Sequence, residues 1–343
     1  MKLAVILLSL RIALNAFAVC VTGNTNNTNT PAGDCGQKNC AIINGTQMVE
    51  IIGPHAGVTA QHLQIVVGQS MVLYAGTNFI VTNTQSLGEL TVVLVAGTFP
   101  TNSRAILLTN PIEIGQAGYM WGRGSAKGAM VTNFISPDLI LTNINSSTVR
   151  VVGRSGTRLV LNYSTNLASS WVNPHLTNTV QSNGYVDVGL PYGGRPAFFR
   201  AQVLPTLITN GWMNGANDHM LRWGINTLSG MTNGYLFSTF DLNGNTNEGC
   251  AWPGDSGGGF FIQEGGVWKL AGIIQGVDQN LYRSPSDGSF FYGMMVDRSG
   301  LELWDSSGSQ KIFTYSVNDG PNPIVTYYTR ITDYWWWLEQ FTH

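Results

Sequence analysis

Two short words in this sequence hold side chains able to make and break acyl bonds. Ser256 stands in CAWPGDSGGGFF, residues 250–261, and His62 in GVTAQHL, residues 57–63. A serine hydroxyl is a weak nucleophile until a neighbouring base takes its proton, and imidazole suits that task near neutral pH. A third group must hold the imidazole in one tautomer and stabilise the imidazolium that forms. Five histidines are available, His55, His62, His175, His219 and His343. Serine among glycines is also ordinary turn composition, so chain order and surrounding elements have to decide.

Order removes two arrangements. The word GDSGG satisfies the nucleophile elbow of α/β-hydrolases, but that order needs a histidine after the serine and only His343 follows. The subtilisin order needs an aspartate before His62, and only Asp34, in a polar tract, precedes it. His, then acid, then Ser remains.

The elements that must carry these residues read as β-strands. From about residue 41, apolar runs such as QIVVG, MVLYAG, NFIVTN, ELTVVLVAG and RAILLTN alternate with turn clusters, with no long helical period between them. The 41 glycines and the frequent Val, Ile, Phe, Tyr and Trp suit short strands and tight turns. A short helix is expected in YWWWLEQF, residues 334–341, capped by Thr332 or Asp333. The segment from about 139 to 244 is looser, with many Asn-Gly and Ser-Gly pairs, and no internal repeat is visible.

Bulk properties exclude some partners. Charged residues make up 10% of the chain and the net charge is −2. That leaves no basic field for nucleic acid and no polybasic patch for a membrane. Residues 1–18, with Lys2, an apolar run and Ala16-Phe17-Ala18, read as a signal peptide cleaved after Ala18. The mature protein is therefore expected to be secreted or periplasmic, with residues 19–40 a flexible leader. Export would permit disulfides among Cys20, Cys35, Cys40 and Cys250, with Cys35–Cys40 the first candidate. There is no CxxC pair and no HExxH word, so neither metal nor organic cofactor is expected.

Beyond these two words, the sequence resembles the chymotrypsin-like (trypsin-fold) serine proteases, as a divergent, bacterial-type, secreted member. That family carries its base in T-A-A-H and its nucleophile in G-D-S-G-G. After Ser256, GGGFFIQEGGVWKLAGIIQG is similar to the family's next two strands without a gap, Trp268 and Gly272 included. GYMWGRG, residues 118–124, resembles the strand that opens the second barrel, and YYTRITDYWWWLEQ the entry to the C-terminal helix. The likeness covers about 41–135 and 245–343; the stretch between, and about 279–325, look like insertions. It implies an all-β fold of two antiparallel six-stranded β-barrels with insertions and a short C-terminal helix. The first barrel would span 41–135, and the second 136–343.

The resemblance also implies roles. Ser256 attacks, His62 is the base, and Gly254 and Ser256 N–H groups form the oxyanion hole. The acid position, an Asp in the family, falls on Glu89 of GELTVVLV. Asp138 of PDLILTN is the alternative, and a site without a working acid the third. Asp255 would be a structural carboxylate, paired in the family with a freed N-terminus. Ile42-Ile43-Asn44-Gly45 is similar to the activation word but stands too close to His62. By gap-free counting, Cys250 is the floor of the specificity pocket, and Gln275, Gly276 and Val277 its wall and substrate-pairing strand. With no acid at Cys250 and a branched Val277, the side chain before the scissile bond should be small or medium and apolar. The implied activity is endopeptidase cleavage of polypeptides, without nucleic acid or lasting membrane association. Two other readings are a weak or inert protease-fold binding protein and an exported esterase.

Overall fold

A computed structural model describes residues 19–23, 27–31, 33, 35–145, 148–164, 177–189, 198–278 and 280–343. The expected signal peptide, Asp34 and His175 lie outside these residues. The strands separate into two compact units. One holds residues up to 127 with 215–278 and 325–343; the other holds 128–214 and 279–324. No described helix is long and apolar enough to cross a membrane.

In the first unit, six strands close into a barrel. Its order is Cys40–Ile43, Gln47–Ile51, Ala56–Ala60, Leu90–Val95, Asn78–Leu87, Ser70–Leu73 and back to the first. The run LTVVLV, residues 90–95, shows why. Its side chains alternate between faces, and both faces are covered. Val93 and Val95 fill the barrel interior with Ile43, Ile51, Met71 and Phe79. Leu90 and Val92 join an outer core containing Trp121, Phe261 and Leu270. A nearly continuous apolar run is the expected composition of such a strand.

The same unit contains a second, open sheet. Its order is Arg222–Thr227, Ala117–Gly122, Gly259–Glu264, Val267–Val277, Val325–Arg330, Tyr235–Thr239 and Gly230–Thr232. Ile106–Leu107 adds a short parallel edge to Val267–Val277. The helix Ile331–Leu338 then buries Ile331, Trp337 and Leu338. It begins one residue earlier than the capping residues predicted. Thr332 Oγ1 donates to Glu113 Oε1 at 2.8 Å instead of capping. Glu113, fully buried, also takes a two-pronged ion pair from Arg330 (3.0 and 2.9 Å), the geometry in which such pairs are strongest.

The second unit gathers the two stretches that looked like insertions. Its three-stranded sheets are Leu139–Asn145, Thr148–Gly153, Tyr185–Gly189 and Thr177–Thr179, Arg158–Ser164, Phe198–Leu204. Val149, Val151, Leu159, Leu161 and Val188 pack between them. The two ends of each inserted stretch lie close together. Gly128 packs so tightly on Asn214 that a Cβ there would stand 2.7 Å from the Asn214 carbonyl oxygen. Asp278 N donates to Val325 O at 3.0 Å.

The leader is packed wherever it is described. Cys20–Val21 pairs with Gly249–Cys250 in antiparallel register, Cys20 opposite Cys250. Val19, Cys20, Val21 and Cys35 are buried, because this segment carries apolar side chains among its polar ones. All four cysteines are buried free thiols, so the Cys35–Cys40 bond is not formed.

Candidate active site

His62 and Glu89 are brought together by one strand pair. Ala56–Ala60 runs antiparallel to Leu90–Val95 with Ala60 opposite Leu90. The residues just beyond that pair, Gln61-His62 on one strand and Glu89 on the other, are therefore neighbours. Gln61 N donates to Glu89 O at 2.9 Å and fixes this corner. His62 sits in a single 3₁₀ turn, Gln61–Leu63, closed by Gln64 in the left-handed region with φ 51°. The imidazole edge reaches solvent, yet its surroundings are dense enough that burial lowers its pKa. The Gln275 side chain and the Glu89 charge act the other way.

Ser256 is carried by a glycine-built bend. Asp255 N donates to Trp252 O (2.9 Å), and Gly258 N to Asp255 O (3.0 Å). Gly257 N then donates to Ile274 O (2.9 Å), which docks the bend on Val267–Val277. Gly257 has φ 87°, and a Cβ there would stand 2.2 Å from Met48 O and from Thr59 Oγ1. No other residue fits that approach. Gly254 also has positive φ, 104°. Among the described residues, the Gly254 and Ser256 N–H groups have no protein acceptor.

Gln275 ties the two halves together. Its main-chain oxygen accepts from Ser256 Oγ at 3.4 Å, and its Nε2 donates to Glu89 O at 2.9 Å. Among the described residues no hydrogen bond joins the His62 ring to Ser256 Oγ or to the Glu89 carboxylate. The Glu89 side chain is exposed. It faces Tyr235, whose hydroxyl pKa is raised by burial and then by that carboxylate. Asp138, the other candidate acid, belongs to the second unit, where its carboxylate accepts from Asn318 Nδ2 at 2.8 Å. His55 is bound to Gly97 O.

The counted pocket residues do come together, with one addition that sequence counting missed. Val277 stands opposite Thr326 in the pairing of Val267–Val277 with Val325–Arg330. Thr326 Oγ1 accepts from Ala251 N at 3.0 Å and lies 3.4 Å from Cys250 Sγ. Cys250 and Thr326 are each 1% exposed. Gly276 has nothing within 4 Å of where a Cβ would be. It opens on a groove of about 370 Å³ lined by Thr232, Asn233, Tyr235, Gln275, Val277 and Tyr327. Thr326 and Tyr235 are unmarked in sequence because only strand pairing between distant parts of the chain makes them neighbours of the site.

Beneath the bend, Asp255 is fully buried. Its Oδ2 accepts from Trp252 N at 2.7 Å, while its Oδ1 has no partner. Burial holds its pKa well above the usual carboxylate range. Val19 lies beside it: a Cβ on Gly122 would touch both, 2.2 Å from Asp255 Oδ1 and 2.8 Å from Val19 Cγ2. Ile42, by contrast, is mid-strand in Cys40–Ile43 and paired on both sides, to Met48 and to Val72. No group of three His, Cys, Asp or Glu side chains fit to hold a metal ion occurs among the described residues.

No family model matches the sequence, and no curated protein matches it significantly. Solved structures do. Neuropsin, a serine protease expressed in the limbic system of mouse brain, matches over 92% of this chain and 97% of its own, with 12% identity and a TM-score of 0.44. Human heparin binding protein matches over 91% and 94%, with 10% identity and a TM-score of 0.43. At that level of likeness the fold assignment rests on the strands themselves: a closed six-stranded barrel, a second antiparallel sheet and a C-terminal helix.

Proposed function

We propose that the protein is an exported serine endopeptidase acting through an acyl-enzyme. The observation that carries this reading is the Ser256 bend, with two N–H groups free of protein acceptors beside a hydroxyl linked through Gln275 to the His62 corner. Ser256 Oγ attacks the peptide carbonyl while His62 takes its proton. The oxyanion that forms accepts from the Gly254 and Ser256 N–H groups. Each such donor is worth roughly 3 kcal/mol of transition-state stabilisation. His62 then gives the proton to the leaving amine, and a water repeats the sequence on the ester. Glu89 contributes its negative charge on the imidazolium side of the balance.

Val277 and Thr326 support a small or medium apolar side chain before the scissile bond, since both branched residues occupy the pocket above Cys250. The pairing of Gln275–Val277 with an extended substrate strand follows from the same resemblance. Leader removal after Ala18 would leave a new ammonium at Val19, beside the unpartnered Asp255 oxygen. That favours Val19 over Ile42 as the start of the working enzyme.

A second reading, an inert protease-fold binding protein, is favoured by the exposed Glu89 and its lack of a hydrogen bond to His62. Intact-mass labelling with a serine-directed fluorophosphonate separates the two. One adduct on the mature protein and none on Ser256→Ala supports the endopeptidase. A folded mature protein that takes no label sinks it.

A further inference from the structure

We propose that the Gln275 side-chain amide, rather than a carboxylate, holds the His62 imidazole in register, accepting its Nδ1–H. The proposal rests on the reading of His62 and Ser256 as the reacting pair. It begins from an irregularity in the sheet. Ile274 pairs with Tyr328 and Gly276 with Tyr327, so Gln275 is an extra residue with no partner of its own. A bulge of this kind bends the strand and re-aims the side chain it carries. Here the re-aimed side chain crosses to the first barrel and ends at Glu89 O, 2.9 Å from Nε2.

That contact fixes which way the amide faces. A main-chain carbonyl only accepts, so the end of the amide against Glu89 O must be its NH₂ group. The oxygen is left at the other end, and the side chain also reaches the imidazole. An acceptor there selects the ring with hydrogen on Nδ1. The lone pair is then on Nε2, the nitrogen that must take the Ser256 proton. The Glu89 carboxylate, which faces Tyr235, acts on the ring through its charge alone. Glu89 is the charged group facing the imidazole, with Tyr235 beyond it and Tyr334 behind that hydroxyl. One side chain of this bulge thus serves as positioning residue, while its main-chain oxygen holds the Ser256 hydroxyl.

The test is nitrogen NMR of histidine-labelled mature protein, read without substrate, on wild type, Gln275→Ala, Gln275→Glu and Glu89→Gln. The expected wild-type signal is the Nδ1–H tautomer of His62. Gln275→Ala should mix the tautomers and lower kcat by ~10²-fold or more with KM little changed. Gln275→Glu should keep the tautomer and raise the His62 pKa by about one unit, because an anion now faces the ring. Glu89→Gln should keep the tautomer and lower that pKa. The proposal is overturned by an unchanged tautomer in Gln275→Ala, or by a tautomer lost in Glu89→Gln. Because the spectrum needs no turnover, an inert wild type would remove the endopeptidase reading and leave this one to be judged by the imidazole.

Discussion

Val277 and Thr326 face each other across one antiparallel pair, and the Thr326 hydroxyl is engaged by Ala251 N and Cys250 Sγ. The wall and the floor of the pocket are therefore joined by hydrogen bonding as well as by packing. Replacing both residues by glycine should open the pocket to aromatic side chains. One methylene of fit is worth ~1–3 kcal/mol in such a pocket, so kcat/KM for a phenylalanine substrate should rise at least ~10-fold relative to alanine. A ratio that stays put in Val277→Gly/Thr326→Gly would place the specificity pocket elsewhere.

Asp255 and Val19 make a prediction about the start of the chain. A buried carboxylate without a partner is costly, and breaking such a pair typically costs ~3–5 kcal/mol. Protein beginning at Val19 should turn over substrate at least ~10-fold faster than protein carrying two extra residues before it, by the same magnitude. The pH dependence has a definite sign. A free α-amino group titrates near about 8, and a facing carboxylate raises it. The stabilisation is then full below that value and lost as pH rises through the raised one. Activity of the Val19 form should accordingly fall on the alkaline side. Equal rates for the two forms would show that Asp255 does not use the N-terminus.

Gly254 is the third place where backbone geometry can be tested. Its φ of 104° is a region that alanine enters only under strain. Gly254→Ala should turn the N–H away from the carbonyl oxygen. The expected loss is ~10²–10³ in kcat, with fluorophosphonate labelling slowed in parallel and thermal stability altered far less. A variant with normal kcat would mean that the oxyanion is held by other donors.

Glu50 should make stability pH-dependent. It is fully buried, with Oε1 accepting from Gly259 N at 2.8 Å and Oε2 without a partner. Burial pushes its pKa up from 4.5 to about 8. Between those values the folded chain keeps a proton that the unfolded chain has released, so stability falls as pH rises across that window. The slope is roughly 1.4 kcal/mol per pH unit. A glutamine side chain at this position has no such proton to lose, and its oxygen can still accept from Gly259 N. Glu50→Gln should therefore gain on the wild type steadily from about pH 5 to about pH 8. Urea unfolding at several pH values measures this, and parallel curves would refute it.

What could be read in the sequence was what lies in contiguous words. His62 and Ser256 are each set by a few neighbours in chain order, and the apolar run at 90–95 announces a doubly buried strand. Glu89 was reachable too, because it directly precedes that run. The features that shape the chemistry were less visible. A bulge at Gln275 changes no residue type, and Thr326 meets Val277 only through strand pairing. The leader looked polar by composition, yet three apolar residues, Val19 to Val21, suffice to bury its start.

The second unit enters and leaves the chain at points that nearly touch, Gly128 against Asn214 and Asp278 bonded to Val325. Each inserted stretch is thus a long detour between two adjacent bases. Deleting both and closing each gap with a tight turn would leave every strand of the barrel, the Ser256 bend and the C-terminal helix in their present order. Such a shortened chain is a natural starting scaffold for engineering, with the inserted unit acting as a cassette that can be removed or exchanged without rewiring the sheet that holds Gln275.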